Sequence, residues 1–448
     1  MSAVGVATSS AVAAPTRVRW RIIALVFLAY VLMYIDRINI SVAARYILPE
    51  YGLSQIEFGG IFSAFVLTYA LAQIPGGWLG DRYGPRRVMM WAILWWSAFT
   101  ALTALAGELF LASTLGVVGS FAVVRALIGL GEAAAPPNGN RMVANWAAPA
   151  ERGFAAGLTH SGSAVGAALT PPLIVWIMVT WNWRTAFYIV GAAGIVVAFV
   201  WYRWTADSPA RHPGVNEAER ALLGTPSHDR EKPAAKTPWR RLLGARQLWF
   251  LTGAYAVLGY NLYFYFAWFY LYLVNERGFS LQSGGWYTMA PFLTMAVASP
   301  LGGRLSDALG RRYGKRWGRS GLGCVTMLLT SVLVFLGAAA EDRVLAVVFL
   351  SASTGTLLLG VAAFWATTID LAPRYAGTAS GVMNMGGNLG GAVSPLLTPY
   401  LGQHYGWPVA LYLMGGLGLV GAALWLGVDP RREITLHADR PNEARPPP

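Results

Sequence analysis

The sequence of 448 residues is 55% apolar and only 12% charged, whereas roughly a quarter of the residues in an ordinary soluble domain are charged. This composition argues against a soluble enzyme. A net charge of +13 would suggest a nucleic-acid partner in a soluble protein, but the positions of the charges favour a protein of the lipid bilayer with no such partner. The single cysteine, Cys324, excludes a disulfide within the chain.

Residues 1–21 lack the basic region and short apolar run that mark a cleavable signal peptide, so we expect a disordered tail there. Apolar stretches near twenty residues then recur along the chain, and a helix of that length spans the core of a bilayer. The predicted helices are 22–44, 58–80, 88–107, 115–138, 152–178, 184–204, 248–274, 285–308, 320–338, 343–370, 375–400 and 407–428.

A polar segment over 206–245 divides the predicted helices into two groups of six. It is rich in charge and proline and has no apolar run long enough to span a membrane. We therefore predict a bundle over 22–205, a cytoplasmic linker over 206–245, a second bundle over 246–428 and a tail over 429–448. The predicted fold class is an all-α integral membrane protein with twelve transmembrane helices in two pseudo-symmetric six-helix bundles.

Basic residues are distributed unevenly between the two ends of the predicted helices. The connections on one side hold only Arg45, Arg184, Arg277 and Arg343, whereas most of the 34 lysines and arginines lie in the other connections, the linker and the tails. Because basic residues collect on the cytoplasmic side of a membrane, both termini are predicted to be cytoplasmic.

Two sequence patterns occur once in each half of the chain. GGWLGDRYGPRR (76–87) matches GGRLSDALGRR (302–312), with Asp81 and Asp307 in equivalent positions, and the stretch from Glu151 parallels the stretch from Pro373. Repeats of this kind relate two halves by a pseudo-two-fold axis along the membrane normal, with a substrate site near the midplane. This arrangement favours transport by alternating access over catalysis.

Several motifs resemble those of a known superfamily of transporters. GWLGDRYGPRR is similar to the loop motif between helices 2 and 3 of the major facilitator superfamily, and the resemblance covers nearly the whole chain. The stretches MYIDRINISVAA, SAFVLTYALAQIPGGWLGDRYG and RALIGLGEAAAPPNGNRMVANW are more discriminating. Together they resemble the anion:cation symporter family, which includes galactonate, glucarate, hexuronate and phthalate permeases and sialin.

Four charged residues lie close to the bilayer midplane in the predicted helices: Asp36, Arg37, Arg125 and Glu132. A charge near the bilayer centre costs several kcal/mol, so each needs a partner or a function. Arg125 and Glu132 are seven residues apart and share a helix face. An ion pair of Glu132 with either arginine that only holds helices together is one interpretation. In the other, the forked guanidinium anchors the carboxylate of an organic anion.

The resemblance implies roles for these residues. In the sugar-acid members of the family, the positions of Asp36 and Glu132 are implicated in proton coupling, and those of Arg37 and Arg125 in anion binding or its linkage to the proton. The further matches to residues that line the cavity or contact substrate are Tyr34, Tyr69, Trp365 and Asn384. Packing alone is the alternative interpretation for the aromatic residues among them.

The fifth predicted helix departs from the family pattern. Sugar-acid permeases commonly carry Gln after Ser-Gly, where it bonds to hydroxyl groups, but here Ser163 occupies that position, which argues against a polyhydroxylated substrate. His160 offers a titratable group nearby, although a lone histidine in a membrane helix more often forms an interhelical hydrogen bond. Tyr263, in the aromatic run of the seventh helix, is a candidate gate or cavity residue.

The repeated loop motifs supply candidate gating residues. We expect Asp81 to meet the positive N-terminal end of the eleventh helix and nearby arginines, and so to close the cytoplasmic side. Arg82 and Asp307 are candidates in the same pair of motifs. The alternative is that Asp81 is a solvated loop acid.

These features predict a proton-coupled secondary transporter that imports a small organic anion, a sugar acid or another carboxylate, across the bacterial inner membrane as a monomer. An exporter of drugs or metabolites on the same fold is one alternative, although its cavity would usually lack the pair Arg37 and Arg125. A membrane-embedded lipid enzyme is disfavoured because no two histidines share a predicted helix and there is one cysteine. No metal, cofactor or nucleotide site is predicted.

Overall fold

A computed structural model describes residues 14–148, 151–223, 239–372 and 376–434. The regular secondary structure of these residues is helical, and no strand occurs among them. The all-α class predicted from the apolar runs is therefore confirmed. The predicted tails lie outside the described residues up to position 13 and from position 435 onward.

The helices of the first half are longer than the apolar runs that predicted them. They are α1 (Val18–Tyr51), α2 (Gln55–Tyr83), α3 (Pro85–Thr103), α4 (Phe110–Glu132), α5 (Ala135–Trp146), α6 (Arg152–Thr180) and α7 (Trp183–Trp204). The helix predicted over 115–138 lies within one apolar span, Phe110–Trp146, in which α4 ends at Glu132 and α5 begins at Ala135. Pro136 explains the new start, since proline fits the first turn of a helix and disrupts the interior of one.

The first part of the predicted linker packs against the first half of the protein, and its last part contacts the second half. It contains a 3-10 turn (Pro209–Arg211) and α8 (Glu217–Leu223), and α9 (Trp239–Gly244) follows after the undescribed residues. The buried Glu219 carboxylate accepts hydrogen bonds from the backbone N–H groups of Val18, at 3.2 Å, and Arg19, at 3.1 Å. Because the first turn of a helix has unpaired N–H groups and a partial positive charge, Glu219 caps α1.

The second half repeats the arrangement of the first. Its helices are α10 (Arg246–Ala267), α11 (Phe269–Leu271), α12 (Leu281–Tyr313), α13 (Leu322–Ala339), α14 (Arg343–Leu371), α15 (Ala376–Tyr405) and α16 (Trp407–Leu426). The continuous helix predicted over 248–274 is wrong, since the chain bends by 55° between α10 and the stretch that starts with α11. The buried Trp268 indole at this break donates to the Pro395 carbonyl, 3.1 Å away, so packing against α15 holds the bend.

Length and composition alone identify only part of the membrane-spanning structure. Among the described residues, eight helical stretches are long and apolar enough to cross a membrane, and the bent pair that starts with α10 is a ninth. α3, α12 and α15 are not identified by the same test of length and apolar composition. Helices inside a membrane bundle are rich in small residues that allow close packing, so hydropathy undercounts the twelve transmembrane helices of this fold.

The two halves meet along two equivalent seams. α2 packs against α15, and α12 packs against α6, as expected if the repeated motifs are related by a pseudo-two-fold axis. On the first seam, a methyl group added at Gly59 would overlap the carbonyl oxygen of Pro395. On the second seam, Gly285 lies against Pro171 and Val175. Both contacts lie on the side of the protein opposite to the linker, so the halves are closed together on that side.

Candidate functional site

An ion pair joins α1 and α4 inside the first half. Nη2 and Nε of Arg37 lie 2.9 Å and 3.3 Å from the same carboxylate oxygen of Glu132, Oε2. The side chain of Arg37 is 4% exposed and that of Glu132 is fully buried. The sequence left the partner of Glu132 open, and the structure shows it to be Arg37.

Close helix packing places this ion pair beside α2. A methyl group added at Gly129 on α4 would overlap the backbone carbonyl of Phe65 on α2, so only glycine allows the two backbones to approach this closely. The rings of Tyr34, Phe65 and Tyr69 lie around the guanidinium carbon of Arg37, with centroids 4.8, 5.1 and 4.5 Å away. Cation–π attraction to these rings stabilises the guanidinium while Glu132 binds its edge.

Arg125 binds backbone carbonyl groups rather than the carboxylate of Glu132. Its Nη1 donates to the backbone carbonyl of Asp36 and its Nη2 to that of Arg37, both at 3.3 Å. The residue is fully buried. Its guanidinium also lies 4.8 Å from the ring centroid of Phe65. In this conformation Arg125 therefore binds the backbone of α1 at Asp36 and Arg37. Its direct contact with an anion stays a prediction.

Asp36 faces away from Arg37. Its carboxyl lies on the side of α1 that packs against α3, beside Thr100 and Trp96, and the residue is fully buried. Neither carboxylate oxygen has a hydrogen bond of standard geometry to a described residue. The two acids implied in proton coupling thus lie in different surroundings, because Glu132 is paired and Asp36 is not.

The second half presents aromatic residues to the ion pair. The ring of Phe266 contacts Tyr34 edge to face at 5.8 Å and Tyr263 at 5.6 Å, so it connects residues of both halves. Tyr263 is 6% exposed. Trp365 is 41% exposed, and its ring lies 6.2 Å from that of Tyr255. The predicted cavity residues Tyr34 and Tyr69 therefore lie around Arg37, and Tyr263 joins this group through Phe266. Trp365 contacts Tyr255.

A carboxamide bridge crosses between the halves. Nδ2 of Asn384 on α15 donates to Oε1 of Gln73 on α2 at 3.1 Å, and Nδ2 of Asn388 donates to the Asn384 backbone. Gln73 and Asn384 are both half-buried. The sequence nominated Asn384 but missed Gln73, although Gln73 begins the QIPGGW block that carries part of the family resemblance.

The two residues singled out on α6 lie against α1. Ser163 lies next to Tyr34, which is one of the rings around Arg37. His160 is exposed, and its ring lies 5.6 Å from that of Tyr30. Ser163 therefore belongs to the surroundings of the ion pair, while the His160 ring contacts Tyr30 with the two ring planes tilted by 57°.

The candidate gating residues occupy one end of the bundles. Asp307 pairs with Arg319 at 3.1 Å, and Arg319 also contacts Asp370 at 3.4 Å, so this network joins elements of the second half only. The guanidinium of Arg82 lies over its neighbouring rings, Trp78 and Tyr83. The side chain of Asp81 lies outside the described residues, so its predicted contact with the eleventh helix stays a prediction.

Comparisons with known proteins agree with this architecture. The model of the Major Facilitator Superfamily matches residues 26–395 and 316–448. The chain also resembles a solved bacterial homolog of the human lysosomal transporter Spinster, with a TM-score of 0.74, 19% identity, and coverage of 92% of this chain and 96% of that one. At this identity the likeness shows a shared fold.

Curated relatives are similar over nearly their whole lengths. A probable sulfoacetate transporter of Cupriavidus necator is 37% identical, covering 96% of this chain and 98% of that protein. A D-galactonate transporter of Escherichia coli is 30% identical, covering 92% and 96%, and a probable galactarate/D-glucarate transporter of Escherichia coli is 32% identical, covering 95% and 96%. These relatives confirm the resemblance to organic-anion permeases, and the chain belongs to the major facilitator superfamily.

Proposed function

We propose that this chain imports a small organic anion together with protons by alternating access, in the bacterial inner membrane, as a monomer with both termini in the cytoplasm. The buried ion pair between Arg37 and Glu132 is the observation that carries the proposal. The relatives support the class of cargo, since they are named for sulfoacetate, D-galactonate and galactarate/D-glucarate, which are all organic anions.

We expect competition for Arg37 to link anion binding to a proton. A carboxylate or sulfonate that approaches Arg37 competes with Glu132 for the same guanidinium donors. Breaking a buried ion pair by removing one partner costs about 3–5 kcal/mol, so a charged Glu132 strongly resists replacement. Protonation neutralises Glu132 and frees the guanidinium for the anion. Each ligand therefore increases the affinity for the other, as thermodynamic linkage requires.

Arg125 completes this linkage through the backbone. Because it donates to the carbonyl groups of both Asp36 and Arg37, it fixes the segment of α1 that carries one proton site and the anion site. Tyr34, Phe266 and Tyr263 form the aromatic contact between this segment and the second half. Rocking of one half on the other would expose Arg37 to opposite sides of the membrane in turn.

The residues near Arg37 favour a compact anion over a polyhydroxylated one. The side chain of Ser163 is short where sugar-acid permeases commonly carry a glutamine, and it lies next to Tyr34. The relative named for sulfoacetate is also more similar to this chain than the two relatives named for sugar acids. We therefore infer a short carboxylate or sulfonate as the substrate, with a sugar acid as the second candidate.

Uptake by proteoliposomes containing the purified full chain tests this proposal. A thermal-shift screen against sulfoacetate, D-galactonate, D-glucarate and phthalate first selects the anion that stabilises the protein. Accumulation of that anion should then increase when the outside is acidified and should disappear when a protonophore removes the gradient. Accumulation that requires sodium and ignores the proton gradient would contradict symport with protons, and proton-driven extrusion of lipophilic drugs would favour the exporter.

A further inference from the structure

A second group of polar side chains lies on the far side of α1 from Arg37. Its members share almost complete burial, at most 1% exposed: Asp36, Asn39, Trp96, Ser97 and Thr100. Thr100 and Trp96 approach the Asp36 carboxyl, but no polar atom in these five side chains makes a hydrogen bond of standard geometry to the described residues. Buried polar groups in proteins are nearly always hydrogen-bonded, to protein or to ordered water. This cluster therefore has the composition of an internal hydration site.

The members of the cluster come from two neighbouring helices and are covered by a third. On α3, Thr100 and Trp96 lie beside the Asp36 carboxyl, and Asn39 is three residues further along the same face of α1. The Ser97 hydroxyl points toward α7, where a methyl group added at Gly194 would overlap it. α3 therefore contacts α1 through Thr100 and Trp96 and contacts α7 through Ser97.

The cluster is separate from the surroundings of Arg37. Successive residues on a helix point about 100° apart, so Arg37 contacts the rings on α2 while Asp36 faces α3. The charged groups that act on Asp36 are Glu132 and Arg125 on α4. Arg125 joins the two regions because it donates to the backbone of both Asp36 and Arg37.

We propose that Asp36, Asn39, Trp96, Ser97 and Thr100 form a closed polar chamber that holds a proton on Asp36 together with ordered water, apart from the anion on Arg37. This inference rests on the proposed proton coupling and adds the other four side chains as positioning residues for the proton. A hydroxyl group can donate to a charged carboxylate and accept from a protonated one, so Thr100 and Ser97 suit both states. Trp96 offers only a donor and stabilises the charged state.

Thr100→Val tests the chamber with little change in side-chain volume. Loss of the hydroxyl removes a donor to the carboxylate, so Asp36 should keep its proton to higher pH. We expect the pH midpoint of uptake to rise by about one unit, since hydrogen bonds to charged groups are strong. Infrared difference spectra between acidic and alkaline pH, recorded without any anion, should show a carboxylic-acid band that Asp36→Asn abolishes and Thr100→Val moves.

Thr103→Val is the matched control. Thr103 lies on the same helix and is fully buried, but its hydroxyl donates to the Phe99 carbonyl at 3.0 Å, so the uptake midpoint and the infrared band should keep their wild-type values. Ser97→Ala provides a second chamber variant if Thr100→Val does not fold, with a shift of the band in the same spectra expected.

The outcomes separate the chamber from the proposed function. Proton-driven wild-type uptake, with band and midpoint unchanged in Thr100→Val and in Ser97→Ala, would overturn the chamber and leave proton symport standing. Wild-type uptake that ignores the proton gradient would overturn symport. In that case the infrared arm alone decides the chamber: a band that disappears in Asp36→Asn and moves in Thr100→Val supports it, and the absence of any Asp36 band overturns it.

Discussion

Arg37 directs two guanidinium nitrogens at a single oxygen of Glu132. Nη2 and Nε lie 2.9 and 3.3 Å from Oε2, while Oε1 accepts no hydrogen bond from the described residues. A carboxylate with one oxygen unpaired inside the protein is poorly compensated for its burial. Under the proposed symport, Glu132 is the partner that the anion replaces on Arg37 once Glu132 is protonated.

Replacing either arginine by lysine should weaken anion binding although the charge is kept. In Arg125→Lys, a single ammonium group cannot reproduce the two bonds to the carbonyls of Asp36 and Arg37, so we expect at least a tenfold loss of affinity. Arg37→Lys loses the two guanidinium donors that bind Glu132, and its loss of affinity should be similar or milder. Titration calorimetry with the anion selected by the thermal-shift screen measures both. Wild-type affinity in both variants would refute their assignment to the anion site.

Amide substitutions of the two acids should separate binding from coupling. Glu132→Gln and Asp36→Asn imitate the protonated acids at nearly unchanged volume, so the loaded carrier still reorients but no proton is released at the altered position. We expect gradient-driven accumulation to be lost and counterflow exchange to be retained in at least one variant. Both assays are run in the same vesicles. If both variants accumulate the anion like the wild type, these carboxyls are structural and His160 is the next candidate for coupling.

Gly59→Ala should shift the balance between conformations. A methyl group at this position overlaps the Pro395 carbonyl, so the seam between α2 and α15 cannot close as it does here. Gly60→Ala is the control, because its methyl group would lie 3.9 Å from the Leu396 side chain, an ordinary contact. Hydrogen exchange should become faster in peptides covering 54–62 and 392–403 of the Gly59 variant alone. Equal exchange in the two variants would mean that this contact does not control closure.

Glu219→Gln should destabilise the protein in a pH-dependent way. Burial disfavours its charge, but hydrogen bonds from Thr16, Arg19 and Val18 outweigh burial and lower the pKa of Glu219 below its ordinary value. Because the folded state has the lower pKa, the stabilisation is complete above the ordinary value of 4.5 and is lost as the pH falls through the folded pKa. We expect a loss of about 1–2 kcal/mol at pH 7.

Thermal unfolding of the wild type and the variant at pH 7 and near pH 4 measures this effect. The difference between them should begin to shrink near pH 4, because the stabilisation declines as the pH falls below the ordinary pKa of 4.5 toward the lower folded pKa. Glu217→Gln, on the exposed side of α8, should behave like the wild type at both pH values. An equal loss of stability for the two substitutions would show that Glu219 contributes only as a surface charge.

The sequence by itself determined the membrane class, the all-α fold and the repeat of the two halves. Apolar runs near twenty residues can satisfy their backbone hydrogen bonds in a bilayer only as helices or closed barrels, and the repeated loop motifs predicted the equivalence of α2 and α12. The same local information failed at Trp268, where the predicted helix is broken. The contact that holds this bend is with Pro395, more than a hundred residues away, so no local pattern reports it.

Tertiary structure alone decided which charges meet. Spacing along one helix placed Arg125 and Glu132 on a common face, yet Glu132 pairs with Arg37 from α1 and Arg125 binds backbone carbonyl groups. Asp36 and Arg37 are neighbours in sequence but belong to different surroundings, because a helix turns successive side chains about 100° apart. Residue type predicts that a buried charge needs a partner, whereas the packing of distant helices determines which partner lies within reach.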